Sequence, residues 1–493
     1  MKKIFLILLL TTCLIQIVCP FGVYSQQSIT WQRTYGNHLA DPETFGVDIC
    51  PGDSGNFYVV GYNHYPESFN VIKINAYGDT LWERTVDSVN NNYAGCTASG
   101  DGGVVCSGDE SFTVKFDKYG NRIWRKHYEY GDQIHKIIRT SDGNFVACGQ
   151  YGGWQGLIFK TDSNGNLIWL KDYNLNYWSG WYNYIIESND NKYIAVGFRR
   201  YTGEDTVRGL ITKLDTAGNI IWEKEYILYN FTTNFISVDK TNNGYLLISQ
   251  TIGPGGWGGV ICFSKLNETG NLQYFYRFNA DSLWGYIPMD IKKVNNNKYL
   301  LCAYGINLTH DTMDSRILTT DSLGNIYHEK IFRETDYIKV SRALVVGNND
   351  IMLVGSSDHV NFNYSDTWVI RTDSNLNAPP IGIKLLSNYI PQKFVLTQNY
   401  PNPFNPTTKI KFSIPLLRGV PEGEFTTPGR GGVLTKLIVY DLLGREVATL
   451  VNESLQPGTY EVNWNTTNFA SGIYFYKFET ESFSQTKKMV LIK

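Results

Sequence analysis

The sequence predicts an all-β protein: a seven-bladed β-propeller whose N-terminal strand closes the last blade, followed by a small Ig-like β-sandwich. Three observations predict it. A ten-residue pattern, "KTDSNGNLIW" at 160, returns as "KINAYGDTLW" at 73, "KFDKYGNRIW" at 115, "KLDTAGNIIW" at 213 and "KLNETGNLQY" at 265, with degenerate copies "TTDSLGNIYH" at 319 and "RTDSNLNAPP" at 371. Its turn glycines, Gly78, Gly120, Gly165, Gly218, Gly270 and Gly324, with Leu376 in the seventh slot, lie 42 to 54 residues apart, which is blade spacing. Finally, 34 Tyr, 25 Phe and 12 Trp beside 46 Gly suit pleated, half-buried strands broken by turns.

The chain begins with a targeting segment. Lys2 and Lys3 precede the apolar stretch that starts at Ile4, and Val23-Tyr24-Ser25 offers a cleavage site, so residues 1–25 read as a signal peptide. Acylation at Cys13 or Cys19 is the weaker alternative, because Thr12 or Val18 stands where a small residue is wanted. No later apolar run reaches the roughly 18 residues of a membrane-spanning helix. A net charge of -2 without a Lys/Arg block argues against nucleic-acid binding. Six cysteines remain after the signal, Cys50, Cys96, Cys106, Cys148, Cys262 and Cys302; several sit in apolar strand segments, where a free buried thiol is the simpler reading than any particular disulfide.

Residues 26–377 form the propeller. About twenty residues before each turn glycine comes another turn and strand, as in "SDGNFVACG" at 141 and "NDNKYIAVG" at 189. One unit therefore runs strand A ("HKIIRT"), polar turn, strand B ("NFVACG"), loop, strand C ("GLIFKTD"), Gly turn, strand D ("NLIWLKDY"). In the C to D hairpin, Gly accepts positive φ and Asp caps nearby amides. The seventh C strand has no D strand after it, because "NLNAPP" runs into proline. Conversely, "ITWQRTYG" at 29–36 is a D strand with no C strand before it, and Trp31 matches Trp82, Trp124, Trp169 and Trp222 in context. Pairing the two closes the ring and removes its open edge.

The Asp, Gly and Trp of this motif resemble the tryptophan-docking repeat of pyrroloquinoline-quinone-type (PQQ-like) and WD40-like propellers, with a turn one residue shorter than in the quinone type. The resemblance implies the fold alone. Quinoprotein dehydrogenases carry adjacent cysteines, which this chain lacks, so neither their activity nor their cofactor is carried over.

A linker, 378–393, leads to a segment with different vocabulary. "FVLTQNYPNPFNPTTKIKFSIP" at 394, "LIVYDLLGREVATLVNESLQPGTYEVNWN" at 437 and the closing "SGIYFYKFETESFSQTKKMVLIK" resemble the type A sorting domain of type IX secretion. The most specific run is Asn399, Tyr400, Pro401, Asn402, Pro403, Phe404, Asn405 and Pro406. Alternation of Ile410, Phe412 and Ile414, and of Tyr474, Tyr476 and Phe478, predicts a β-sandwich over 394–493. An insertion at 416–432 departs from the family pattern and reads as a loop. The resemblance implies passage through the periplasm, export by the type IX machinery, removal by its sortase, and release or anchoring on surface lipopolysaccharide.

No catalytic constellation stands out. Asp117, Asp162, Asp215, Asp321 and Asp373 repeat from blade to blade and read as turn caps, whereas an acid/base pair is needed once. "DSNGN" at 162 lacks the Gly and Glu of an EF-hand loop, since Leu167 and Tyr173 hold those places. The seven histidines show no metal-ligand spacing, and His328 falls where other blades carry an aromatic ring. No metal and no cofactor are expected. The unrepeated feature is a set of tryptophans assigned to loops on the B to C and D to A face: Trp154, Trp178, Trp181, Trp257 and Trp284. Rings outside the docking position suit stacking on a glycan or anchoring of a protein ligand. A binding module is therefore the favoured reading; a polysaccharide hydrolase or lyase, and a structural surface protein, are the alternatives.

Overall fold

The computed structural model describes residues 30–35, 44–63, 68–87, 94–129, 133–152, 154–173, 179–228, 232–252, 260–278, 284–307, 313–332, 337–359, 364–378, 383–387, 390–416, 433–455, 457–466 and 469–492. Residues 1–25, read from the sequence as a signal peptide, and residues 417–432 of the segment read as an insertion lie outside them.

Six antiparallel four-stranded sheets follow one another over residues 44–87, 94–127, 133–172, 179–226, 232–278 and 284–332, each in the order A-B-C-D. These are blades 1 to 6. Blade 7 takes strands A to C from Tyr337–Val346, Asp350–His359 and Tyr364–Thr372, and its D strand from Trp31–Tyr35. Trp31 pairs with Arg371, the register in which Trp169 pairs with Lys160 in blade 3. The A strands touch in sequence around the ring, and that of blade 7 touches that of blade 1, so the ring closes.

The repeated motif builds the seams between blades. In the blade 3 hairpin, the Gly165 N–H donates to the Asp162 carbonyl at 3.0 Å and the Asp162 N–H to the Asn166 carbonyl at 2.9 Å. Asp162 Oδ1 accepts from the amides of Asn164 and Asn166, and Gly165 sits at φ 76°. This is a type I turn followed by a left-handed residue, and the ladder slips by one residue beyond it. The turn receives the D-strand ring of the preceding blade. Trp31 Nε1 donates to the Ala76 carbonyl at 2.9 Å, Trp82 Nε1 to Lys118 at 3.0 Å and Trp169 Nε1 to Thr216 at 3.0 Å. In blade 5, Tyr274 takes the same part, its hydroxyl donating to the Ser322 carbonyl. A tyrosine four residues after the tryptophan adds a second bond: Tyr35, Tyr128 and Tyr173 donate to the carbonyls of Gly78, Gly165 and Gly218 at 2.7 to 2.9 Å.

A further repeated contact ties strand C to the A to B turn in blades 1 to 4. The lysine that opens the motif, buried in three of these blades and half-buried at Lys115, reaches the aspartate of the A to B turn: Lys115 to Asp101 and Lys160 to Asp142 at 2.6 Å, Lys213 to Asp190 at 2.9 Å, and Lys73 to Asp53. Blade 7 substitutes Arg371 and Asp350, 3.1 Å apart. All six mature cysteines are buried free thiols.

After the propeller, the segment read as a linker contributes a strand, Ile383–Ser387. It pairs with Gly458–Asn465 of the sandwich on one side and, at Lys384, with Trp31 on the other. Blade 7 and one sandwich sheet thereby form one continuous eight-stranded sheet. Along the other sandwich sheet, Val433–Tyr440 lies between Glu446–Leu455 and Gly472–Glu479, with Ser484–Leu491 at the edge. Ile410, Phe412, Ile414, Tyr474, Tyr476 and Phe478, the alternating residues of the sequence, all enter the sandwich core.

Candidate functional site: the loop face, the axis and the C-terminal domain

Trp154 stands in the B to C turn of blade 3, between Phe145–Tyr151 and Gln155–Thr161, with 57% of its surface exposed. Its carbonyl accepts the Gly180 N–H of blade 4 at 2.8 Å, and its ring lies 6.1 Å from that of Trp181, tilted by 40°. Trp181 rests edge-on against Phe198 at 4.3 Å, and its indole N–H donates to Asn183 Oδ1 at 3.0 Å. Two of the five expected tryptophans thus meet across one seam. Trp181 was expected in a loop but belongs to strand A of blade 4, Ser179–Glu187, because that strand starts earlier than the apolar run "YIIE" suggests. Trp284 likewise opens a strand, Trp284–Asn295, where it pairs with Asn307. Trp178 and Trp257 lie outside the described residues.

The axis of the ring holds a cluster the sequence did not reveal. Six of the seven A strands carry a bulge, at the one-residue slips Gly46/Asp48, Ile134/Lys136, Tyr182/Tyr184, Phe235/Ser237, Pro288/Asp290 and Val340/Arg342. The residue after each bulge is buried or half-buried near the axis. Tyr184 from blade 4 is surrounded by Lys136 of blade 3, Lys292 of blade 6 and Arg342 of blade 7, at 5.5, 4.6 and 5.3 Å from its ring centre. Lys136 pairs with Asp48 at 2.6 Å and Lys292 with Asp290 at 2.9 Å. Burial opposes the charge on Lys136 and Lys292, yet Asp48 and Asp290 respectively, each together with Tyr184 and further neighbours, outweigh it and hold both ammonium groups above the ordinary lysine range. The Lys136–Asp48 pair joins blade 3 to blade 1, and removing either partner would strand the other as a buried charge. Beside them His135 donates its Nδ1–H to the Tyr182 carbonyl, 2.9 Å away, and burial pushes its pKa down to about 4, so the imidazole is neutral. These side chains come from five of the seven repeats, and no one residue type recurs at the position in all of them, which is why no motif announces the cluster.

In the sandwich, the Asn399 to Pro406 run wraps one end. Asn399 is buried; its backbone N–H donates to the Tyr476 hydroxyl at 2.8 Å, and its amide to Pro401 O and Thr408 Oγ1 at 3.0 and 2.9 Å. Asn402 Oδ1 accepts the Val490 N–H at 2.9 Å, while Phe404 exchanges backbone bonds with Val490 and Ile492 at 3.0 Å. The Phe404 ring enters the core beside Trp464, 5.8 Å away, whereas Tyr400 is 80% exposed. The run therefore pins the last strand of the chain.

No curated protein matches the chain. Among solved structures, the Pan2 WD40 domain of Neurospora crassa is 11% identical, with a TM-score of 0.47 over 70% of this chain and 97% of its own. BamB from Moraxella catarrhalis is 10% identical, with a TM-score of 0.40 over 66% of this chain and 95% of its own. PorZ of Porphyromonas gingivalis, described as an essential bacterial surface component of the type-IX secretion system, is 12% identical, with a TM-score of 0.40 over 90% of this chain; the match spans 59% of PorZ. Residues 398–493 match the secretion system C-terminal sorting domain family. The C-terminal sandwich is a sorting domain read by the type IX secretion machinery, and the protein it ends is exported to the surface of a Gram-negative bacterium or secreted.

Proposed function

We propose that the exported propeller is a binding module that takes an extracellular glycan at the Trp154 and Trp181 seam. The supporting observation is the exposure of Trp154 beside a second indole, off the repeated docking position. The repeated rings Trp31, Trp82 and Trp169 are committed to seams by their N–H groups, while Trp154 presents an open face with the Asn183 amide close to its neighbour. One or two rings of roughly 150–250 Å² each match a sugar unit better than the roughly 800 Å² per partner of a stable protein interface. The sorting domain is cut off by the sortase at the surface, and the propeller is then released or held on lipopolysaccharide.

A glycan and surface-protein array probed with the secreted protein tests this reading. Retention on a glycan that Trp154→Ala reduces at least tenfold, with an unchanged melting temperature, is the expected result. Retention only on a protein, or retention that ignores the substitution, removes this seam as the glycan site.

A further inference from the structure

Both sheets of the sorting sandwich run to a common end where its most distinctive sequences gather. Strand pairing places Tyr440 opposite Phe475 and Ile473 opposite Val490, so the hairpin tip after Tyr440, the start of Gly472–Glu479 and the finish of Ser484–Leu491 share that end. The bonds of Asn402 and Phe404 to Val490 and Ile492 bring the 399–406 run to it as well. Beside the exposed Arg445 and Asn402, five large apolar side chains stand outside there. Tyr400 is 80% exposed, Leu443 77%, Leu442 68%, Ile492 52% and Ile473 39%. The tip itself is rigid: Asp441 Oδ1 accepts from the amides of Leu443 and Arg445, Arg445 Nε donates to Asp441 Oδ2 at 2.7 Å, and Gly444 takes φ 78°. A capped turn that holds two adjacent leucines in water incurs a solvation cost with no return inside the fold.

We propose that this end, built around Tyr400, Leu442 and Leu443, is the surface by which the sorting domain docks into an apolar groove on a protein of the export machinery. Three observations single it out. The domain is one that machinery reads. Its signature run uses buried Asn399 and Phe404 to fix the backbone while turning Tyr400 outward. The opposite end, where Thr407–Ile414 finishes and Val433–Tyr440 begins, is the one at which the chain leaves for the insertion after Leu416. The surface stands whether or not Trp154 binds a ligand.

The test uses the full chain produced in a bacterium with a type IX system. Leu442→Glu with Leu443→Glu is expected to cut surface delivery at least tenfold and to leave the protein in the periplasm with its sorting domain attached. Leu434→Glu, which alters a leucine 46% exposed near the opposite end, is expected to be delivered like the parent. Unfolding curves of the purified chains establish that each variant folds; should the double variant fail to fold, Tyr400→Ala, an outward ring, gives the same reading. Normal delivery of the folded tip variants, or equal loss with Leu434→Glu, overturns the proposal. Deleting 394–493 separates this from the domain assignment: a truncated chain that still reaches the surface defeats the assignment itself.

Discussion

Lys265 shows what the repeated ion pair does by lacking it. Where five blades offer aspartate, blade 5 offers Asn243, and Lys265 donates to the neutral oxygens of Thr241 and Asn243, the latter at 3.1 Å. Burial pushes its pKa down from 10.5 to about 8. The folded state therefore binds fewer protons than the unfolded chain between pH 8 and 10.5, and stability rises with pH across that window; below pH 8 the full cost of burying the charge remains. Asn243→Asp should supply the missing carboxylate, add about 1–2 kcal/mol at pH 7 and flatten the rise above pH 8. Urea unfolding of parent and variant at pH 7 and pH 10 measures both effects. The pairing was written in the sequence, since Lys or Arg in strand C accompanies Asp in the turn and Thr319 accompanies Asn297 in blade 6. It was not legible as a contact because the partners lie some twenty residues apart in two different turns.

At the level of the element, Trp and Gly form one device across two blades. A Cβ at Gly270 would lie 2.6 Å from the Trp222 ring, and the backbone there has φ 77°. Gly55 has the same φ but nothing within 4 Å of a Cβ. Gly270→Ala should then cost about 2–4 kcal/mol, combining left-handed strain with overpacking, against about 1–2 kcal/mol for Gly55→Ala, which carries strain alone. Thermal unfolding of the two variants decides whether the ring contact is real. Nature has made the compensated exchange once: blade 6 carries His328 in the ring position, and the turn of blade 7 that follows holds a fully buried Leu376 in place of glycine, at φ 67°. The Gly turn and the Trp strand were readable because they are local and periodic. The direction in which each ring points, into the next blade, was not, and neither was the W-x-x-x-Y spacing that places a second donor on the same turn.

For the whole molecule, closure rests on a strand that arrives first in the sequence and pairs with the last blade. Its legibility came from a mismatch, a D strand without a C strand at one end and the reverse at the other. The extra pairing with Ile383–Ser387 gave no such sign, because a five-residue apolar stretch among prolines has no period to count. The result is that Trp31 is fully buried, unlike the half-buried Trp82, Trp124, Trp169 and Trp222. It joins three elements: strand C of blade 7 by its ladder, the turn of blade 1 by its indole, and the sorting-domain sheet beyond it. Trp31→Ala should cost about 3–5 kcal/mol, as large aromatic deletions do. Trp124→Ala, at a half-buried ring whose indole N–H has no hydrogen-bond partner, should cost less. The further consequence follows from topology. A closed ring has no terminal blade, but an opened one has two, and a linear array frays from its ends by nearest-neighbour steps. Urea unfolding of Trp31→Ala should therefore broaden and show a smaller m value, while Trp124→Ala shifts the midpoint at constant m. Equal m values and equal losses for the two substitutions would mean that the N-terminal strand decorates blade 7 without closing it.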